Sequence, residues 1–504
     1  MTSRTFSLSN ITYKETRVAI KHLKLRKSLD CFNMSTSILK NITDIIVPYI
    51  TYIFNMLIYN NYFPESLKLA TVVPVFKNGD RNVLSNYRPI SLLPCIAKIL
   101  EYIIYKQCIT YFNSNNILST NQYGFRTGFS TSHAIMKYMD YLLKNINNSS
   151  KIISIYIDLS KAFDLVDSNI LLHKLKHYYG FDNNSIEFFK SYLCGRKISV
   201  ISNNNKSNTY DMKYGVPQGS TLGPFLFISF INDIFHKIRG SNIDLLCYAD
   251  DMVMSSIIDA ERTEVEFCEY IKKVLHYFEA NHLLINIKKT KAQYFNNKSP
   301  INENIFIGND IGFQIVSEYK YLGINIDCNF KFKTQYMNLH NKLRLFLKIL
   351  YKAAIYLDKK TISNMYICYM LPYIEYGSSI YFMFNRVLLN KIDKINNRIL
   401  KFTCLDTQYS IENRLLHNIT KHFIKIITET CPLYINFNSN KNNTRHNIAL
   451  PIINKSSYFK SYNIWCKKIY IILKNKNYKT ENINMKHTKQ ISDLIRPNFS
   501  TMFN

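Results

Sequence analysis

Two apolar runs in this chain carry acids where an ordinary core would have none. Ile152-Ile-Ser-Ile-Tyr-Ile-Asp158 is a β-rich run that ends in a carboxylate. Ile243-Asp-Leu-Leu-Cys-Tyr-Ala-Asp-Asp-Met-Val-Met-Ser255 is broken in its middle by Asp250 and Asp251. A carboxylate next to apolar strand residues is costly unless something neutralises it. Side chains alternate faces along a strand, so Asp250 and Asp251 cannot both face solvent on one straight strand. A tight turn there would present Asp250 towards Asp158. Converging acids with no lysine beside them in the sequence suit a hard cation such as Mg²⁺, which takes oxygen ligands and leaves positions for substrate phosphates. The adjacent pair alone reads more readily as a solvated hairpin tip, and Asp158 is what tips the balance to a site.

Two loops add to this. Tyr214-Gly-Val-Pro-Gln-Gly-Ser-Thr-Leu-Gly-Pro224 holds three glycines and two prolines in eleven residues, just before an apolar helix. Such a loop lets backbone approach a ligand closely, and a helix N-terminus behind it favours phosphate. An ordinary tight turn has the same composition. Asn121-Gln-Tyr-Gly-Phe-Arg-Thr-Gly-Phe-Ser-Thr131 puts Arg126 in a glycine-flanked loop, where a plain surface arginine is the alternative.

The 504 residues carry a formal charge of +29 with 47% hydrophobic residues, which excludes wholesale disorder and points to polyanionic partners, nucleic acid before anionic membrane. Residues 331–504 hold 28 Lys and Arg against 8 Asp and Glu, so most of the excess lies in the last third. Heavy use of Ile, Asn, Lys and Tyr also fits an AT-rich coding sequence, which discounts part of the lysine count. The eleven cysteines are scattered singly, without CxxC or a Cys/His pair at zinc spacing, as expected of reduced thiols in nucleus or cytoplasm. No apolar run resembling a secretory signal opens the chain, so a protein that is not secreted is expected. The most membrane-like stretch, Ile45 to Tyr59, is too short to span and reads as a buried helix, so no membrane partner is expected.

Periodicity predicts helices over residues 1–62, then strand and loop between Phe63 and Pro94, and a helix from Cys95 to Phe112. A hairpin is expected from Ser199–Asn203 and Thr209–Tyr214, with a helix from near Gly219 through Phe235. Long basic helices such as Asn338–Tyr356 and Leu388–Phe402 follow, and Asn436–Asn447 reads as a linker. Strands alternating with helices in the middle, flanked by helices, make an α+β chain.

Taken in order, these features resemble the reverse transcriptases of non-LTR (LINE-type) retrotransposons, close to the jockey-like group. The strings that carry the resemblance are Asn86-Tyr-Arg-Pro-Ile-Ser-Leu-Leu-Pro94, Gln122-Tyr-Gly-Phe-Arg126, Ile157-Asp-Leu-Ser-Lys-Ala-Phe-Asp164, Gly215-Val-Pro-Gln-Gly-Ser220, Leu222-Gly-Pro224, Tyr248-Ala-Asp-Asp251, Asn286-Ile-Lys-Lys-Thr290 and Tyr321-Leu-Gly323. The resemblance implies a right-hand polymerase: an N-terminal helical extension (1–62), fingers (63–150), a ferredoxin-like palm with the catalytic motifs (151–330), and a helical thumb with a basic C-terminal region (331–504). It implies RNA-directed DNA synthesis, in which a primer 3′ hydroxyl is extended with dNTPs by a two-metal mechanism using two Mg²⁺ ions or, alternatively, Mn²⁺. The partners implied are an RNA template and a DNA primer or nicked target DNA.

Carried over residue by residue, the catalytic acids are Asp158, Asp250 and Asp251, with Asp158 and Asp250 as metal ligands and Asp251 beside the primer terminus. Phe163, five residues after Asp158, stands where the family has an aromatic gate under the sugar; without the motif it reads as a core phenylalanine. Arg126 resembles the residue that holds the triphosphate and Arg88 a nearby fingers contact. Gln218 is similar to the residue at the incoming base pair and template. Lys289 resembles the lysine that protonates pyrophosphate, with Lys288 and Lys291 as rivals, and Tyr321, Leu322 and Gly323 resemble the primer grip. Two departures concern the fingers: Lys27-Ser-Leu-Asp-Cys31 replaces a Gly- and Pro-containing turn, and Phe129 stands where a basic residue is common.

An endonuclease ahead of the polymerase is typical of the family, and residues 1–62 are too few to hold one. That activity is therefore expected from another chain or a missing N-terminal domain. Two alternatives stay open. One is a group II intron-type maturase, which Pro217-Gln-Gly-Ser-Thr-Leu-Gly-Pro-Phe-Leu-Phe227 fits less well; the other is a catalytically silent nucleic-acid-binding remnant, against which the three intact aspartates stand.

The charge distribution yields a first expected outcome. Affinity for a primer–template duplex should fall steeply with salt, and deleting residues 331–504 should flatten the slope of log affinity against log salt concentration. An unchanged slope would trace the lysine excess to codon bias alone.

Overall fold

A computed structural model of the chain describes residues 4–25, 29–148, 150–202, 205–238, 240, 242–258, 261–296, 304–307, 311–381, 386–405, 410–427, 466, 469, 472–473 and 487–502. The expected linker Asn436–Asn447 and part of the departing turn at residues 27–31 lie outside the described residues.

In chain order the N-terminal part forms helices α1 (Tyr13–His22), α2 (Thr36–Asn41) and α3 (Thr43–Tyr59), strands β1 (Leu69–Phe76) and β2 (Tyr87–Leu92), and helices α4 (Cys95–Ser114) and α5 (Thr131–Asn147). The middle forms β3 (Ile152–Ile157), β4 (Leu159–Ser160), α6 (Ser168–His177), α7 (Asn183–Leu193), β5 (Arg196–Ser202), β6 (Asn205–Lys206), β7 (Tyr210–Met212), α8 (Gly223–Ile231), α9 (Ile234–Lys237), β8 (Ile243–Tyr248), β9 (Asp251–Ile257) and α10 (Glu261–Ala280). There follow β10 (Leu284–Ile285), β11 (Lys291–Phe295), β12 (Asn304–Ile307), β13 (Ile311–Ile315), β14 (Glu318–Tyr321) and β15 (Ile324–Asp327). The last third is helical: α11 (Lys333–Ala353), α12 (Lys359–Met365), α13 (Leu371–Tyr376), α14 (Ser378–Tyr381), α15 (Arg386–Thr403), α16 (Ile411–Ile427) and α17 (Thr488–Met502). The chain is α+β, as its pattern of runs implies.

Several helix starts follow from local chemistry. Thr12 and Glu15 form a reciprocal capping box on α1, while Ser130, Asp167 and Asp182 each accept backbone N–H groups at the starts of α5, α6 and α7. The helix expected from Gly219 begins only at Gly223. Gly219 has φ +130°, which no helix accommodates, whereas Pro224 fits the first turn. Helix α3 corrects the expectation of a buried helix: Val47, Ile50, Phe54 and Ile58 are buried at helical spacing, but Ile45, Tyr49, Tyr52 and Tyr59 are exposed on the other side. No described helix is long and apolar enough to cross a membrane.

Contacts divide the chain into two compact units interleaved in sequence. The first comprises Met1–Phe125, Leu159–Arg239 and Tyr270–Asn286; the second comprises Arg126–Asp158, Gly240–Glu269 and Ile287–Asn504.

In the first unit, β1 pairs antiparallel with β2 and parallel with β5, and β5 also carries β6 and β7. The expected hairpin is therefore present, but its first strand starts at Arg196 and joins β1, a long-range pairing that no local pattern announces. Two charged clusters lie inside this unit. Lys174 Nζ sits 2.8 Å from Asp233 Oδ1 and donates to the Phe230 carbonyl, and the Tyr277 hydroxyl donates to the same carboxylate at 2.6 Å. Burial lowers the Lys174 ammonium from its ordinary pKa, opposed by Asp233. Glu101, fully buried on α4, accepts the Tyr192 hydroxyl at 2.9 Å and the Thr221 N–H at 2.7 Å. Burial raises its carboxyl, while Arg196 and these donors oppose the rise.

In the second unit, a six-stranded sheet runs in the order β12-β13-β11-β3-β9-β8. All six residues of β3 are buried, as expected of a strand with neighbours on both edges and cover on both faces. Helix α5 packs against β3 and β8. There the Tyr138 and Tyr156 hydroxyls meet at 2.8 Å, and Tyr156 donates on to Gln293 Oε1 on β11 at 2.8 Å, so the buried hydroxyls are satisfied. Farther along the chain, α11 packs on α15 through a stripe that includes Leu339, Leu343 and Leu350, and it leaves Lys342, Arg344, Lys348 and Lys352 exposed.

The buried pair in the first unit gives a stability test. Lys174→Ala strands the Asp233 carboxylate in the interior and should cost about 3–5 kcal/mol in denaturant unfolding. The double replacement Lys174→Met with Asp233→Leu should recover most of that loss, because it removes the charge as well as its partner.

Candidate active site

The site in the second unit follows from strand register. Ile157 on β3 pairs with Met252 on β9, so one further step sets Asp158 opposite Asp251. On the other edge of β3, Tyr156 pairs with Lys291 on β11, and the turn just before β11 brings Lys289 and Thr290 to Asp158. Strands β8 and β9 form a hairpin closed by the pair Tyr248 and Asp251, leaving Ala249 and Asp250 as its two-residue turn. Ala249 has φ +58°, a left-handed conformation that hairpin turns demand and that glycine ordinarily supplies. The expected tight turn is thus present, with Asp250 half-buried at its tip and Asp251 exposed at the start of β9.

The Asp158 backbone N–H donates to Thr290 Oγ1 at 3.3 Å, and its carboxylate lies 3.8 Å from Lys289 Nζ. This corrects the premise that the acids have no lysine beside them, since Lys289 arrives from the turn before β11, far away in sequence. With 64% of the Lys289 side chain exposed, such a pair contributes little stability and can yield to another cation. The phenol of Tyr319 reports the local field. Burial, then Asp251, then Asp158 push it up to about 12, so both carboxylates act on one neighbour.

Among the described residues, no group of three or more His, Cys, Asp or Glu side chains is gathered to hold a metal ion on protein ligands alone. The donor set nevertheless fits Mg²⁺. Carboxylate oxygens are hard ligands, and Mg²⁺ characteristically uses one or two of them and completes its shell with water and phosphate.

The hairpin of β14 and β15 turns at Leu322 and Gly323, both with positive φ. Leu322 offers its carbonyl to the Tyr376 hydroxyl. Tyr321 is buried, with its ring 5.4 Å from Tyr138 and 5.8 Å from Tyr156, so of the three expected grip residues only Leu322 and Gly323 present themselves outward. Arg126 places its guanidinium 4.0 Å from the Phe129 ring centroid, so the departure at Phe129 supplies a cation–π shelf for it.

In the first unit, Phe163 is half-buried, stacked on Phe227 at 4.5 Å and edge-on to Phe125 at 5.8 Å. The glycine-rich loop is tied to the same segment, because Val216 N–H donates to the Phe163 carbonyl and Gly215 N–H to that of Val166. Gln218 Nε2 donates to Asp164 Oδ1 at 2.9 Å, and its carbonyl accepts the Ser91 N–H at 2.7 Å. Burial raises the Asp164 carboxyl, opposed by the Gln218 amide and Lys161. Arg88 is exposed on β2, paired with Val75. Glu101, Asp164 and Thr290 support the loop and the acids, and the sequence reading missed all three. A lone acid in the apolar helix Cys95–Ser114 was the available signal for Glu101.

Compared with known proteins, residues 75–326, half of the chain, match the family model described as reverse transcriptase (RNA-dependent DNA polymerase). The RNA-directed DNA polymerase from mobile element jockey of Drosophila funebris is 25% identical over 78% of this chain and 43% of its own length. The probable RNA-directed DNA polymerase from transposon BS of Drosophila melanogaster is 28% identical over 81% of this chain and 46% of its own length. The chain thus spans less than half the length of these curated relatives. Among solved structures, apo telomerase from Candida tropicalis aligns with a TM-score of 0.38 at 12% identity, covering 60% of this chain and 62% of the other.

The loop geometry is open to test. A Cβ on Gly219 would lie 2.3 Å from the Ser91 carbonyl oxygen, whereas one on Gly195, also left-handed, would meet nothing closer than the Lys68 ammonium at 3.9 Å. Gly195→Ala should therefore cost only the left-handed penalty of about 1–2 kcal/mol. Gly219→Ala should lower the melting temperature further than Gly195→Ala does.

Proposed function

Because the chain belongs to the reverse transcriptase family, we propose that it extends a DNA primer with dNTPs along an RNA template, as a polymerase of a jockey-like non-LTR retrotransposon. The observation that carries this reading is the convergence of Asp158 and Asp251 across β3 and β9, with Asp250 in the adjoining turn, all within the matched span. Asp158 and Asp250 would hold two Mg²⁺ ions, or Mn²⁺ in their place, and these supply Lewis-acid chemistry to the primer hydroxyl and the pyrophosphate leaving group. Asp251 stands beside the primer terminus. Lys289, 3.8 Å from Asp158, carries a proton suited to the departing pyrophosphate.

Arg126 holds the triphosphate from its shelf on Phe129, and Arg88 adds a second positive charge. The Phe163 ring, fixed by Phe227, excludes a 2′ hydroxyl, and Gln218 touches the nascent base pair. The primer strand is gripped at Leu322 and Gly323, with Tyr321 supporting the hairpin from the core. The proposed division is an extension (1–62), fingers (63–150), palm (151–330) and thumb with basic region (331–504). The working compartments are the cytoplasm, where template is met, and the nucleus, where target DNA is met.

Primer extension on an RNA template with Mg²⁺ tests the reading. Asp250→Asn should abolish extension while leaving template binding nearly intact, with Asp251→Asn milder. Asp250→Asn activity within about tenfold of the parent would overturn the metal role. Phe163→Ala should raise ribonucleotide use relative to deoxynucleotide use. Measuring this as a ratio of catalytic efficiencies in one preparation cancels any stability lost with the Phe227 stack.

A further inference from the structure

We propose that Asp164 is a positioning residue that locks the Gln218 amide so that its oxygen is offered to the nucleic acid or nucleotide at a fixed place. The inference rests on the polymerase reading and adds to it the polarity of one contact. An ionised carboxylate can only accept hydrogen bonds, so the group that meets Asp164 Oδ1 at 2.9 Å has to be the Gln218 NH₂. The amide oxygen is thereby turned away from Asp164, and among the described residues it accepts no hydrogen bond. The group that meets the Gln218 amide oxygen is therefore a hydrogen-bond donor.

The backbone on either side leaves Gln218 little other freedom. Its carbonyl is held by the Ser91 N–H, and the next residue, Gly219, packs against the Ser91 carbonyl. Ser220 Oγ donates to the Pro217 carbonyl and accepts the Gly223 N–H at 2.8 Å, and the Thr221 N–H is anchored on buried Glu101. Asp164 is fixed too: its N–H donates to the Lys161 carbonyl at 2.9 Å, and its backbone closes on Gly215, where a Cβ would come within 2.7 Å of the Asp164 carbonyl oxygen. With the main chain held at both ends, the side-chain torsions of Gln218 are the remaining freedom, and Asp164 removes it. Without Asp164 the amide could rotate by half a turn and offer a donor where an acceptor is needed.

The experiment compares Asp164→Ala, Asp164→Asn and Gln218→Ala, with the Asp164→Ala/Gln218→Ala double variant, in the full chain. Asp164→Ala should raise the KM for dNTP about tenfold with kcat within about twofold, the size expected for one charge-assisted hydrogen bond. Asp164→Asn keeps an oxygen that can accept from Gln218, so it should restore most of the loss. In the Gln218→Ala background, Asp164→Ala should change nothing further. An Asp164→Ala effect that persists in that background, or an Asn variant as impaired as the Ala variant, would overturn the proposal. A second readout needs no activity: the Gln218 side-chain ¹⁵N amide resonance, assigned by its loss in Gln218→Ala. Its hydrogen-exchange protection should vanish in Asp164→Ala and persist in Asp164→Asn. If the parent fails to extend a primer while this pattern holds, the polymerase reading falls and the positioning role stands. If the resonance ignores Asp164→Ala, the positioning role falls whatever the activity.

Discussion

Strand β3 sits between β9 and β11, and the register it keeps with each decides what flanks Asp158. A slip of one residue on the β9 side would move every side chain of that strand to the opposite face and carry Asp251 away from Asp158. The slip is prevented by burial. Met252, Val253 and Met254 on β9 and all of β3 are enclosed on both faces, and the buried Ser154 and Ser255 hydroxyls meet at 2.7 Å across the ladder, so a slip would unpair two buried polar groups and refit every packed side chain. The carboxylates then come together at the first place where the ladder ends and solvent can reach them. Their convergence costs electrostatic repulsion, which Lys289 relieves in part from the other edge of β3.

The polar groups that the fold buries support this register and the glycine-rich loop. In the second unit the hydroxyls of Tyr138 and Tyr156 and the amide of Gln293 form one chain of hydrogen bonds across α5, β3 and β11, and Gln293 Nε2 continues to the carbonyls of Ser317 and Ile326. Removing any one member would leave a buried group unpaired, so the network specifies the sheet as well as stabilising it. In the first unit Glu101 does the corresponding task for the glycine-rich loop, through a single backbone N–H at Thr221.

Much of this was legible in the sequence. Acids closing apolar runs announced Asp158, Asp250 and Asp251, and the break in the second run announced its turn. Periodicity placed Asn338–Tyr356 and Leu388–Phe402 on helices that in fact run Lys333–Ala353 and Arg386–Thr403. What escaped depends on contacts distant in the chain. The motif names Lys289, but its contact with Asp158 comes through the pairing of β11 with β3, and β5 joins β1 in parallel, neither of which a local pattern encodes. Tyr321 reads as a surface contact in its motif, yet its ring fills the core beside Tyr138 and Tyr156. Tyrosine also misled on α3, where its ambivalence made a half-exposed helix look uniformly buried.

Mn²⁺ binding followed by electron paramagnetic resonance, with primer–template and dNTP present, tests most directly whether this strand register creates a divalent-cation site. The account predicts saturable Mn²⁺ binding that weakens about tenfold or more in Asp158→Asn, as loss of one of two carboxylate ligands requires. Unchanged Mn²⁺ affinity in a folded Asp158→Asn variant would contradict it.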